Sequence, residues 1–536
     1  MLIILVTISI LLIIIFGNGI FFGKILKINS ESFSLTSLLG IMSVTFLETM
    51  IAFFFPLNFY IELIFIIIGI IGIIQFLRIK NYIYFDFKKN INFWFCFYVV
   101  IILFVASFSP YLYDHYSYYF PTISYLREAG FVKGISNLDL LLGQTSFWHI
   151  FQAGFSNLID VNLRINCYLL ILFLIYIYER KCWIFLFFIP LFLPFIQQPS
   201  PDLPIFVIAL IVVNELMNDR NRSLILYLSL FAFCIKPIMF WLPLLLILDS
   251  FYRKRFNIKM LIPVLVFGSL FVSKNLFLFG FPVFPAAFID FNLPWKPSNE
   301  ILNYSSQIGL MKTYDMKYSY QQVADFNFSE KIYHWFTIGM KSVLNLAIVF
   351  CLVILGYFAF RKKGFFYKLL FVCFLIKFIL IITFSAQYRF FIDLYLITIF
   401  LVFKDISEEK AVFTSVFLSI FISILFTFPG FVKHRFYMGR WMSGFQLSQL
   451  IKPTEFKSEE SKSFQIGNLK FNVTKGLIYK TPFPALSLYW LKTYQYYNVF
   501  PQNSNNGFVQ KKLTEKDKKS LKKIIDDLEN ANPKFP

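Results

Sequence analysis

The sequence predicts an all-α polytopic membrane protein: a bundle of about 14 transmembrane helices with long outer loops and a small C-terminal extramembrane region. Three observations predict it. Of the 536 residues 58% are hydrophobic and only 15% charged, with a mean hydropathy of +0.67, far above an average soluble chain. Apolar runs such as Leu2 to Phe16, Leu63 to Phe76, Trp183 to Ile196 and Leu261 to Phe279 approach or reach the length a helix needs to cross about 30 Å of hydrocarbon. The basic residues fall in short clusters between those runs. In lipid every backbone group must be satisfied internally, so the runs are helices and not open strands.

The clusters set the topology. Lys24 and Lys27, Arg78 to Lys89, Arg180 and Lys181, Arg220 and Arg222, Arg253 to Lys259, Arg361 to Lys363, and Lys404 to Lys410 all fall inside if positive charge marks the cytoplasmic face. Neighbouring clusters bracket room for two crossings, which puts the N-terminus and the C-terminal region outside. Met1 to about Ile20 lacks a basic leader and a small-residue cleavage site, so it reads as a retained span. The chain divides into N-terminal helices at 1–90, a transmembrane core at 91–430 and a C-terminal region at 431–536. Two outer loops are long, about 109–160 and 280–335, longer than plain connectors need to be. The first contains "GISNLDLLLGQTSFWHIFQAGFSNLI", whose mixed spacing predicts helices lying along the membrane interface. The last region closes with the basic, helix-periodic "KKLTEKDKKSLKKIIDDLENANP", read as resting on the outer membrane surface with a solvated face.

Composition also excludes classes. A formal net charge of +20 could serve nucleic acid, but basic residues scattered between helices report topology and form no binding stripe. The six cysteines have no CxxC spacing and no companion histidines, so they read as small buried apolar residues.

What remains on the outer side is polar and ionisable. Asp114 and His115 stand in "SPYLYDHYSYYF", just where the apolar run from Asn92 ends. An acid at the edge of the bilayer is costly to bury and is a candidate for function. Position alone fits a helix-end residue facing water equally well. Asp202 opens a span in "SPDLP", where prolines suit a first turn and the helix dipole favours an acid, so capping would also explain it. Lys236, followed by proline between two hydrophobic runs, interrupts a helix pair; a broken helix end beside a cation can cradle an anion, and snorkelling is the plainer alternative. Lys274 and Asn275 precede a turn built from Gly280, Pro282 and Pro285, and Arg389 adds another outer cation. Several cations facing two carboxylates fit a phosphate or pyrophosphate headgroup. Tyr118 and its neighbouring tyrosines suit a boundary apolar on one side and wet on the other.

Together "SPYLYDHYSYYFPTISYLREAGFVKGISNLD", "SPDLP", an outer lysine, "KNLFLFGFPVFP" and "QYRFFIDL" resemble a group of bacterial multi-pass proteins that is itself similar to the GT-C superfamily of membrane glycosyltransferases. The likeness spans about residues 90 to 400. Lys274 stands where arginine is usual, Asp139 where a histidine is expected, and Gln387 and Tyr388 precede Arg389 where the pattern favours proline. The resemblance implies a GT-C-like bundle in the bacterial cytoplasmic membrane, with its active site outside. It implies transfer of a sugar, with inversion, from a polyprenyl-phosphate carrier to a lipid or glycan acceptor hydroxyl. In that scheme Asp114 is the base; Lys236, Lys274 and Arg389 stabilise the departing phosphate. His115, Tyr118, Asp139, Asp202 and Asn275 complete the substrate-binding set, Asp202 holding acceptor or sugar. The resemblance fixes no cofactor and leaves a divalent metal open, for which Asp114 and His115 offer two ligands, too few to claim one.

Two other readings compete. A transporter or flippase of lipid-linked saccharides would place ionisable groups along a path near mid-bilayer, where Lys377 alone speaks for it. A polymerase or ligase of surface polysaccharide would rely on outer-loop arginines, in which the chain is poor.

Overall fold

A computed structural model describes residues 1–28, 32–78, 91–362, 364–435, 441–456, 460–474 and 476–530. The basic run after Arg78, Lys363 and the last residues of the terminal segment lie outside the described residues. The fold is overwhelmingly helical, and among the described residues seven helices are long and apolar enough to cross a membrane: Leu2–Leu26, Phe33–Ala52, Phe59–Arg78, Ile258–Phe279, Lys341–Arg361, Phe365–Phe384 and Glu408–Thr427. It is a helical membrane protein. The chain forms two compact units, one of residues 1–204, 269–298 and 406–536, the other of residues 205–268 and 299–405.

In the first unit, the three N-terminal helices approach until backbones touch. A Cβ on Gly72 would lie 1.9 Å from the Gly17 carbonyl oxygen, and one on Gly17 would lie 2.0 Å from that of Gly69. Lipid supplies no hydrophobic drive between helices, so close van der Waals packing over small residues does that work. Asn18 Nδ2 adds a bond to the Phe65 carbonyl at 3.0 Å. Glu62, at the start of the third helix, is buried and accepts the N–H groups of Asn157, Leu158 and Ile159, each at 2.8 Å. That carboxylate braces the loop segment Asn157 to Ile159.

Several apolar runs expected to span do not form continuous helices of spanning length. The run Trp183 to Ile196 breaks into a 3₁₀ turn, the helix Phe188–Phe192 and another 3₁₀ turn, because Pro190 and Pro194 each remove a backbone donor. Phe93–Ala106 and Arg222–Ile235 have 14 residues each, about 21 Å at 1.5 Å per residue. Ile165–Arg180 is buried along nearly its whole length, an interior helix. Glu179 near its end accepts from Ser32 Oγ at 2.6 Å and from the Phe33 N–H at 2.7 Å, capping the helix Phe33–Ala52.

The first outer loop also departs from expectation. Phe147–Gly154 is buried at every residue, so this segment folds into the protein and does not lie on lipid. Of the cysteines, Cys96 is exposed and Cys182 half-buried, while the other four are buried as expected.

The C-terminal region carries strands the apolar pattern did not announce. β1 (Lys462–Ile466) pairs antiparallel with β2 (Leu469–Thr474), with Phe464 opposite Phe471, and β2 pairs parallel with β3 (Ala485–Ser487). β4 (Val499–Ser504) and β5 (Gly507–Lys512) form a second antiparallel pair. The basic helix Glu515–Asn530 buries Leu521, Ile524, Ile525 and Leu528 against the helix Leu488–Tyr497 and β1. Its exposed lysines form the solvated face the pattern predicted.

The second unit is fastened by a buried ion pair. Lys377 Nζ donates to both carboxylate oxygens of Asp393 at 2.6 and 2.5 Å, and Trp241 Nε1 adds a bond at 2.7 Å. Three helices, Trp241–Tyr252, Phe365–Phe384 and Ile392–Phe403, meet at that carboxylate.

Two measurements follow from these contacts. Gly72→Leu forces the first and third helices apart and should cost about 1–3 kcal/mol or more in thermal unfolding in detergent. Gly268→Ala, with nothing within 4 Å of the added Cβ, should be neutral or stabilising. Lys377→Met alone strands the Asp393 carboxylate and should cost about 3–5 kcal/mol, whereas Lys377→Met with Asp393→Leu should recover most of it, short of the lost Trp241 bond.

Candidate active site

The C-terminal end of Phe93–Ala106 is finished by a residue far along the chain. Arg164 is buried, and its guanidinium donates to the carbonyls of Ala106 at 2.8 Å, Phe108 at 3.2 Å and Asn162 at 2.7 Å. A cation is favoured at a helix C-terminus, where the last carbonyls lack partners. Asp160 supports it by accepting the Arg164 backbone N–H at 2.9 Å and Gln152 Nε2 at 3.0 Å. Burial pushes the Asp160 carboxyl up to about 7. Arg164 stands apart from the basic clusters, so charge counting passed over it.

From that anchored end the chain runs through Pro110 to Asp114 and enters a π-helical turn, His115–Tyr119, continued by Phe120–Ala129. Tyr116 ties the turn back by donating to the Pro110 carbonyl at 2.5 Å. At the far end of the turn the buried Tyr119 hydroxyl hydrogen-bonds Tyr118 and Ser200 and lies in the field of both Asp114 and Asp202. Burial first, then the two carboxylates, hold that hydroxyl well above its ordinary value of 10.0, so it stays neutral. The Tyr119 ring centroid is 4.9 Å from that of His149. The Asp202 side is fixed as well: Asn166 donates to the carbonyls of Phe195 at 2.9 Å and Ser200 at 3.0 Å, and receives Trp148 Nε1 at 2.6 Å. Two acids singled out in the sequence, Asp114 and Asp202, thus both bear by their charge on a residue, Tyr119, that was not.

His115 takes part differently. It is buried, its ring lies 4.9 Å from Tyr116 and 5.9 Å from Tyr479, and its Nδ1 has no hydrogen-bond partner among the described residues. Burial, then the charges of Arg164 and His149, hold it well below its ordinary 6.5. Tyr479 belongs to the C-terminal region, where Leu477, Trp441 and Phe456 join it in an aromatic cover over Tyr116. That region rests on the stretch 107–138: Thr454 N–H donates to the Ser107 carbonyl at 3.0 Å, and the Tyr494 hydroxyl to those of Asn137 and Leu138 at 2.7 and 3.0 Å.

The other predicted site residues are spent on scaffolding or lie elsewhere. Asp139 is buried, caps Leu141 N–H at 2.9 Å and hydrogen-bonds Trp490; burial raises it to about 6. Lys274 is buried and donates to the carbonyls of Gln144 at 3.0 Å and Thr145 at 2.8 Å. Asn275 donates to Pro282 at 2.8 Å and so fastens the turn that was expected after it. Lys236, half-buried, and Arg389, exposed, belong to the second unit. Among the described residues no three His, Cys, Asp or Glu side chains gather as a metal site. Along the same Phe93–Ala106 helix, a groove of about 850 Å³ is lined by Trp94, Val412, Phe413, Val416, Phe417 and Ile420, with Glu408 and Glu409 at one end.

A family profile described as a domain of unknown function, DUF8201, matches residues 1–396, well over half of the chain. The chain belongs to this family. No curated protein and no solved structure matches it. In this DUF8201 protein the matched stretch contains every candidate site residue and stops short of the cover supplied by Trp441, Phe456 and Tyr479.

The buried neutral His115 gives a pH dependence with a definite sign. Its stabilising contribution is present above 6.5 and is lost as pH falls, since the unfolded chain then binds the extra proton. Asp139 and Asp160, raised by burial, act with the opposite sign, so the test is a difference. Between wild type and His115→Phe, unfolding stability should diverge below about pH 6.5 with a slope of up to about 1.4 kcal/mol per pH unit, the variant being the less acid-sensitive.

Proposed function

We propose that this protein is a GT-C-type inverting glycosyltransferase that moves a sugar from a polyprenyl-phosphate carrier to an acceptor hydroxyl on the outer face of the bacterial cytoplasmic membrane, in cell-surface glycan or glycolipid assembly. The observation that carries the reading is Asp114 at the polar end of the apolar helix Phe93–Ala106, opening the π turn His115–Tyr119, with Asp202 the second carboxylate whose charge reaches the Tyr119 hydroxyl. Two carboxylates from separate segments, held by a buried network, are what acid–base work on a sugar needs. The acceptor oxygen attacks the anomeric carbon as the bond to the carrier phosphate breaks; Asp114 takes the acceptor proton and polyprenyl phosphate leaves. Asp202 holds acceptor or sugar. Lys274, a phosphate cation in the resemblance, instead positions the loop before Phe147–Gly154. The groove beside Trp94 has a size and lining that suit a hydrocarbon chain, and its acidic end would repel a phosphate.

The transporter reading rests on Lys377, whose ammonium is matched to Asp393 and Trp241 in a closed set of bonds. Such a set locks helices together and offers no site for a passing ligand.

Purified protein is given undecaprenyl-phosphate glucose, galactose and mannose, and release of undecaprenyl phosphate is measured. Wild type should release carrier from one of them, and Asp114→Asn should lose at least about 100-fold in kcat while still binding donor. An Asp114→Asn variant as active as wild type would remove Asp114 as base. Absence of release from every donor would favour the transporter.

A further inference from the structure

Between the last spanning helix and the strands of the C-terminal region the chain makes a short 3₁₀ turn, Leu447–Leu450. Its apolar side chains are open: Leu447 is 77% exposed and Ile451, the next residue after the turn, 62%, with Leu450 exposed between them. Gln449, by contrast, is fully buried. Single exposed leucines are ordinary on a protein surface, but a contiguous aliphatic patch marks a contact with something apolar.

The turn is moored to helix ends on both sides. Phe445 N–H donates at 3.3 Å to the carbonyl of Thr427, the last residue of the spanning helix Glu408–Thr427. Ile3 N–H, in the first turn of the spanning helix Leu2–Leu26, donates to the Ile451 carbonyl at 3.1 Å. A spanning helix ends near the boundary of the hydrocarbon, so a turn bonded to two such ends lies at that boundary. The patch also continues a surface that meets lipid, since Leu2, Leu5 and Val6 of the first helix are exposed beside it. The backbone of the turn suits the place. Gln446 N–H is bonded to Gln449 Oε1 at 2.7 Å, and the N–H groups of Gln449 and Ile451 to the carbonyls of Gln446 and Ser448 at 3.0 and 3.1 Å. Lipid accepts apolar side chains and penalises open backbone.

We propose that Leu447, Leu450 and Ile451 form a lipid-inserting anchor that seats the C-terminal region in the boundary between headgroups and acyl chains of the bilayer. The drive is apolar burial, because Lys452, the cation beside the patch, is paired with Glu455 at 3.3 Å. The anchor reaches the polar stretch as well. Gln449 Nε2 and the Thr454 N–H both donate to the Ser107 carbonyl, at 3.4 and 3.0 Å, so the turn fixes the depth at which the chain leaves Phe93–Ala106 toward Asp114. Lipid contact at this turn does not depend on the glycosyl-transfer reading.

The test uses the full chain in phosphatidylcholine nanodiscs, with Cys96→Ser and Cys182→Ser removing the accessible thiols and one fluorophore attached at Leu447→Cys. Lys522→Cys, on the solvated face of Glu515–Asn530, is the control. Emission at Leu447 should be largely lost to lipid brominated high on the acyl chain, less to lipid brominated near the chain end, and hardly at all to aqueous iodide. Emission at Lys522 should be lost to iodide alone. Adding phosphatidylglycerol should leave the loss at Leu447 unchanged. Iodide access at Leu447 equal to that at Lys522 would overturn the anchor. So would a label shielded from iodide yet indifferent to bromine, since protein, a second copy or another chain, would then cover the turn. A loss that appears only with phosphatidylglycerol, or that is greatest with the deep bromine, would overturn it too. If Leu447→Cys does not fold, Ile451→Cys reads the same depth from the other end of the patch and decides alone.

Discussion

The polar part of the first unit depends on how one short helix ends. Phe93–Ala106 stops after 14 residues, and a helix end carries carbonyls without partners. Water cannot serve them inside a packed protein, and an unsatisfied group costs several kcal/mol where nothing else can bond it. Arg164 answers that constraint with a buried guanidinium on Ala106, Phe108 and Asn162. Its burial is tolerable because every bond it makes relieves another cost. The helix can therefore end early, within the protein, and the chain can turn polar at Asp114 without leaving a gap behind it.

The same logic of local completion recurs at each break. Glu62 holds three consecutive N–H groups of the segment Asn157 to Ile159, Glu179 caps Phe33–Ala52, and Lys274 takes the carbonyls of Gln144 and Thr145. Each is a charged side chain spent on backbone left over where a helix or turn stops. In the second unit Lys377 and Asp393 are spent on each other. This distinction decides which ionisable residues remain candidates for chemistry. A charge that finishes the backbone or closes a pair is structural, which leaves Asp114 and Asp202 as candidates for chemistry.

That sorting marks how much was legible in the sequence. Membrane character, the long apolar helices and the polar end at Asp114 follow from composition and run length, which are local and additive. The glycine contacts of the N-terminal helices follow only once partners are known, because Gly17 and Gly72 mean close approach only when they face each other. Pro190 and Pro194 were visible as breakers, yet run length outweighed them in a count of spans. Lys274 and Asp139 looked like site residues because an outer charge signals function until its backbone partner is seen. Arg164 and Tyr119 were missed for the converse reason: a lone arginine beside an apolar run and one tyrosine among several carry no local signal.

The π turn explains why the candidate site could not be assembled from spacing. Helical periodicity at Asp114 to Phe120 pairs the aspartate with Tyr118, one α turn on, and sends Tyr119 away. The extra residue of a π turn shifts everything after it, so the side chain that meets Asp202 is the one periodicity rejects. What holds the irregular turn is tertiary. Tyr116 bonds Pro110 at one end, the Tyr119 hydroxyl is bound at the other, and Tyr479, Trp441 and Phe456 lie over the middle. A backbone irregularity persists only where its surroundings over-determine it. Here part of those surroundings comes from chain distant in sequence, and the cover of Trp441, Phe456 and Tyr479 lies beyond residue 396, outside the stretch the family shares. The two aspartates are set by packing that this chain's own C-terminal region helps to supply.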